Sequence, residues 1–170
     1  MRILGVDPGS RLTGYGCVDV EGGKVRLVTH GVLKVAGIHA KELLPLEKRL
    51  LLIYQGLNEI ILKYKPQIMV VEKIFFAKNA LSALKLGHAR GAAVLTGAMH
   101  SLEIVEYSPT EVKSSLVGFG RADKTQIAKM LQIILGRQDF LTHDASDALS
   151  LAISHAYRLP KQWTLRQTSL

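Results

Sequence analysis

Four carboxylates in this chain stand where a bare structural role does not account for all of them together. Asp7 closes the apolar run Ile3-Leu4-Gly5-Val6 and is followed at once by Pro8 and Gly9, so it sits where a buried strand ends and the chain turns. Glu72 closes a second such run, Gln67-Ile-Met-Val-Val71. Asp144 and Asp147, in Thr142-His-Asp-Ala-Ser-Asp-Ala148, are three residues apart and so share one face of a helix near its N-terminus. For that pair alone a simpler reading is available, since acids in a first helical turn complement the helix dipole. As a set the four are costly, because neighbouring carboxylates raise one another's pKa unless divalent cations neutralise them. Oxygen-only ligands select hard ions such as Mg²⁺ or Mn²⁺. Two such ions about 4 Å apart can cut a phosphodiester by activating water and stabilising the leaving oxygen.

These acids need a scaffold that brings them together. Leu12 to Val20 reads as a second strand returning beside the first, and Lys24 to Leu33 as a third after the turn Glu21-Gly22-Gly23. Leu46, Leu50, Ile53, Leu57, Ile60 and Tyr64 form the stripe of an amphipathic helix from Pro45, which Pro66 ends. The run before Glu72 has the character of a central parallel strand. Asn79 to Ser101 is a helix rich in Ala and Gly, with Gly87 and Gly91 four apart so that another backbone can approach. Glu103 to Tyr107 is a short strand, and Ser108-Pro-Thr-Glu111 is a capping box for a helix that Gly118-Phe-Gly120 breaks. Asp123 and Gln126 cap a further helix that Gly136 stops, and the last helix runs from about Thr142 to Leu159 before Pro160. The expectation is a mixed sheet with helices on its faces.

A chain of 170 residues that is 48% hydrophobic supports one well-filled core, placed at 1–159, with 160–170 expected as a loose tail. Lys and Arg outnumber Asp and Glu by 22 to 14, a net charge of +8, which favours a polyanionic partner while also serving solubility. Cys17 alone excludes a disulfide framework or a cysteine-rich zinc site within the chain. No charged-then-apolar leader or membrane-length apolar run is present, so the expected location is cytoplasmic.

Several motifs in one order carry a resemblance. Gly5-Val-Asp-Pro-Gly9 with Gly14-Tyr-Gly16, Val71-Glu-Lys-Ile-Phe-Phe-Ala-Lys-Asn79, Ser82-Ala-Leu-Lys-Leu-Gly-His-Ala-Arg-Gly91, the Val112 to Gly120 segment and Asp144-Ala-Ser-Asp-Ala-Leu149 together resemble the RuvC-type Holliday junction resolvases. The likeness runs from residue 2 to about 158. It implies an α/β, ribonuclease H-like mixed sheet, with three antiparallel N-terminal strands plus parallel strands and helices on both faces. It further implies a homodimer that makes paired, symmetric, Mg²⁺-dependent nicks in a four-way DNA junction, alongside the RuvA and RuvB branch-migration proteins. The family's catalytic acids fall on Asp7, Glu72, Asp144 and Asp147. Lys113 matches a lysine near the active site, Lys124 one important for DNA cleavage, and Phe75 an aromatic that contacts bases at the junction.

Each of these residues also has an ordinary reading. Phe75 beside Phe76 suits a core, although stacking on an unpaired base, worth ~1–3 kcal/mol, would justify exposing a ring. Lys113 and Lys124 could be surface charges at helix ends, and His143 a first-turn surface residue. Lys78, Lys85, Arg90 and Arg121 are candidate phosphate contacts, Arg90 foremost because a guanidinium fork suits phosphate. The Gly-rich hairpin after Asp7 also resembles the phosphate-binding element of actin-like ATPases and sugar kinases, although no second copy of it occurs here. A junction-binding module without catalysis is a further alternative, one that leaves four acids unexplained. YqgF-like nucleases share the opening and lack the full motif set.

Overall fold

Alternation in the first strand decides the layering. The computed structural model describes residues 1–35, 44–73, 80–136 and 142–160. In β1 (Arg2–Asp7), Ile3 points to one face of the sheet while Leu4 and Val6 point to the other, all three fully buried. β2 (Leu12–Glu21) and β3 (Lys24–Lys34) continue antiparallel, while β4 (Ile68–Glu72) and β5 (Glu103–Tyr107) add in parallel on the far side of β1. The sheet order is β3-β2-β1-β4-β5, so β1 is central and its C-terminal end opens between an antiparallel and a parallel neighbour. A register shift at Cys17/Val18 bulges β2 against β3.

Helices cover both faces. α1 (Leu46–Tyr64) and α2 (Ala80–Met99) bury Ile53, Leu57, Ala89 and Ala93 against Leu4, Val6, Met69 and Val71. α3 (Pro109–Val117), α4 (Lys124–Leu135) and α5 (His143–Arg158) bury Val112, Leu116, Ile127, Leu131 and Leu149 against Ile3, Val18, Ile68 and Val70. The expected punctuation holds at the helix ends. Ser108 with Glu111 and Asp123 with Gln126 form reciprocal capping boxes, and Gly118 and Gly136 end α3 and α4 in left-handed conformations. Lys65, at φ 50°, performs that stop for α1, one residue before Pro66.

α5 is buried along nearly its whole length, and three glycines in the sheet make this possible. A Cβ at Gly5 would run into the main chain of Ala148, one at Gly14 into that of Asp144, and one at Gly16 into the side chain of Leu149. Gly5 pairs with Gly16, and Asp7 with Gly14, so the glycines form one bare patch on which α5 lies. Gly87 and Gly91 behave differently: a Cβ at either meets open space, so they do not serve packing within the chain. The expected tail at 160–170 lies, apart from Pro160, outside the described residues. Among the described residues no helix is long and apolar enough to cross a membrane.

Candidate active site

The site follows from this register. Ile3, Gly5 and Asp7 alternate onto the α5 face of β1, and Ile68, Val70 and Glu72 do so on β4. Val6 pairs with Val71, so Asp7 and Glu72 each stand one step beyond that rung at the ends of adjacent parallel strands. α5, seated on the glycine patch and started by Thr142, whose hydroxyl accepts from the Ala145 amide at 3.4 Å, delivers Asp144 over Gly14 and Asp147 one turn on.

Asp7, Glu72 and Asp147 line one cavity of about 320 Å³ together with Lys113 of α3 and Lys124 of α4. Val112, Ile127 and Leu151 supply an apolar wall to the same cavity. Asp144 is not part of that lining and reaches Asp7 through its charge. Burial, followed by the charges of Asp147, Glu72 and Asp144, pushes the Asp7 carboxyl up to about 7. Glu72 is raised too, by burial and then by Asp147, with Lys124 and Lys113 opposing. Lys124 Nζ lies 3.3 Å from Asp147 Oδ2, so an ammonium already partly offsets the cluster. The capping box at Asp123 holds Lys124 at the first position of α4.

The donor set suits a hard divalent cation, since it is all oxygen and is electrostatically underneutralised. Among the described residues no group of three or more His, Cys, Asp or Glu side chains is drawn together into a ready-made metal cage.

The other expected residues divide. Arg121 is exposed in the turn before α4, Lys85 is exposed on α2, and His143 is exposed at the start of α5. Phe75 and Lys78 lie outside the described residues. Arg90 is already engaged within the chain: its Nε donates to the main-chain carbonyl of Glu72 at 3.2 Å and its Nη2 pairs with Glu106. Glu106 was not singled out in the sequence, where Glu103 to Tyr107 reads only as a short strand. Nor was the use of Gly5, Gly14 and Gly16 as a helix seat, although two glycines two apart on one strand, Gly14 and Gly16, are a signal for close approach.

A central strand and its parallel neighbour each ending in an acid, with a helix carrying two more laid across them, define a ribonuclease H-like fold with a carboxylate cluster at the end of its central strands. The family model described as "Crossover junction endodeoxyribonuclease RuvC" matches residues 3–155. A protein so named from Syntrophotalea carbinolica is 48% identical over 157 residues, 92% of this chain and 94% of that protein. Another from Dichelobacter nodosus is 46% identical, covering 93% of this chain and 86% of its own length. Among solved structures, Thermus thermophilus RuvC in complex with Holliday junction substrate superposes with a TM-score of 0.85 at 31% identity, covering 96% of this chain and 97% of that one. The chain belongs to the RuvC family of crossover junction endodeoxyribonucleases.

Proposed function

We propose that this chain is a structure-specific endonuclease that resolves four-way DNA junctions in recombination and repair, with Asp7, Glu72, Asp144 and Asp147 as its metal-holding acids. The observation that carries the reading is the convergence of Asp7, Glu72 and Asp147 on one cavity whose remaining charged lining is Lys113 and Lys124. Two Mg²⁺, with Mn²⁺ able to substitute, would supply Lewis-acid stabilisation of the attacking and departing oxygens in an in-line displacement. Asp7, at the end of the central strand and facing the other acids, is central to cation binding. Glu72 flanks it from β4, and Asp144 and Asp147 complete the set from α5. Lys113 and Lys124 orient the scissile phosphate, while Val112, Ile127 and Leu151 keep the local dielectric low. Water oxygen bonds to phosphorus, the bond from phosphorus to the 3′ oxygen breaks, and that oxygen takes a proton. The products are a 5′-phosphate and a 3′-hydroxyl.

Phe75, Lys78, Arg121 and Lys124 are the residues we assign to DNA contact. A homodimer acts on two strands of like polarity, giving two symmetric nicks. Its interface is assigned to the outer face of α2, where Leu84, Leu95 and Met99 are exposed around the open Gly91. Such a face suits close approach of a second backbone. RuvA and RuvB are the expected partners, and the cytoplasm the expected location. Gly14 and Gly16 seat α5, so they have a use other than the phosphate-binding turn of an actin-like ATPase.

The deciding experiment incubates the protein with a synthetic four-way junction and with linear duplex, with and without Mg²⁺. Paired nicking of the junction alone, and only with Mg²⁺, is expected. Equal cutting of both substrates would make it a general nuclease, and binding without cutting a non-catalytic module.

A further inference from the structure

Arg90 belongs to α2, in the layer opposite α5, yet its side chain ends at the acid site. Its Nε donates to the Glu72 carbonyl at 3.2 Å, and its Nη2 pairs with Glu106 of β5, which stands beside Val71 in the parallel register. The guanidinium therefore bridges the last rungs of β4 and β5 where the sheet ends. A carbonyl at the final residue of a strand needs a partner from outside the ladder, and here Arg90 is a donor to it. The amide of Lys73, the next residue, donates to Tyr107 at 2.8 Å, so the peptide after Glu72 is held from two sides. Arg90 also lines a smaller cavity of about 190 Å³ with Asp7, Pro8 and Glu72.

We infer that Arg90, held by Glu106, is a positioning residue for Glu72. By clamping the peptide at the end of β4 it fixes the direction in which the Glu72 side chain leaves the strand. This rests on the nuclease reading above and replaces the expectation that Arg90 grips phosphate. Its side chain is 21% exposed, and the neighbouring Glu106 carboxylate would repel a phosphate that approached the same fork.

The test uses the whole chain as Arg90→Gln, Glu106→Ala and the double variant, beside the unaltered protein. Affinity for a synthetic four-way junction is measured in EDTA across a NaCl series, and single-turnover nicking across a Mg²⁺ series. Each single variant is expected to lose about 10- to 100-fold in nicking rate at saturating junction, since small misplacements cost that much. The Mg²⁺ midpoint should rise, EDTA affinity and salt slope should stay unchanged, and the double variant should be no slower than the slower single variant. Weaker binding by Arg90→Gln, with a salt slope reduced by about one and an unchanged saturated rate, would instead make Arg90 a phosphate contact. If Arg90→Gln does not fold, Glu106→Ala decides alone, and a full nicking rate in that variant overturns the assignment. An unaltered chain that binds the junction but never nicks it in Mg²⁺ overturns the nuclease reading itself, and this one with it.

Discussion

Asp7 is at once a carboxylate whose charged form burial and acidic neighbours disfavour and the one the proposed chemistry most needs. With its folded pKa at about 7 against about 3.9 in an unfolded chain, the native state holds a proton that the unfolded state has lost between those values. Stability in EDTA should therefore fall as pH rises from about 4 to 7, by at most roughly 1.4 kcal/mol per unit from this group, and the cost then stays constant above 7. Urea denaturation of the unaltered chain and Asp7→Asn at pH 5 and pH 8 checks the sign. The Asn variant should be the more stable at pH 8, on the order of 1–3 kcal/mol, and the gap should shrink at pH 5. The same variant is expected to lose Mg²⁺-dependent nicking while keeping junction affinity, measured by gel shift in EDTA, because that affinity comes mainly from Lys and Arg on phosphate. Mg²⁺ should raise the melting temperature of the unaltered chain more than that of the variant.

Among the elements, α5 sets the geometry, and its seat is the sensitive part. Gly5→Ala places a methyl group in the main chain of Ala148, so α5 must lift off the sheet; a loss of at least ~2 kcal/mol in urea denaturation and a sharp fall in nicking are expected. Gly23→Ala, at φ 76° in open space, should cost only about 1 kcal/mol and leave nicking intact. This contrast also marks how far the sequence could be read. Strand-end acids, capping boxes at Ser108 and Asp123 and the stop at Gly136 are local signals, and each appears where the pattern placed it. The bare patch made by Gly5, Gly14 and Gly16 depends on which residues of β1 and β2 lie side by side, and register across a hairpin is not written in either strand alone. The Arg90–Glu106 bridge joins residues sixteen apart from α2 and β5, and a guanidinium that grips phosphate looks the same in sequence as one that grips a carboxylate.

For the molecule as a whole, the proposed reading gives the +8 charge the work of binding, the acid cavity that of cutting and the outer face of α2 that of pairing. Leu95 is 60% exposed, so Leu95→Arg should fold with stability within about 0.5 kcal/mol of the unaltered chain. On the proposed pairing, light scattering should find the unaltered chain dimeric and this variant monomeric, and the variant's nicks on a four-way junction should become unpaired. The burial of α5 has a further consequence for how this protein fails. From Ala145 to Ala156 the helix is buried at every residue except Asp147, and it packs on β1, β2 and α3 alike. A helix so enclosed has no partial opening available to it, so amide hydrogens near Asp147 should exchange only through unfolding of the entire domain. Asp147, set within that stretch, cannot then be dislodged while the rest of the fold persists. Heat or denaturant should extinguish cutting at the same midpoint at which the sheet melts, leaving no folded but disarmed form to accumulate on DNA.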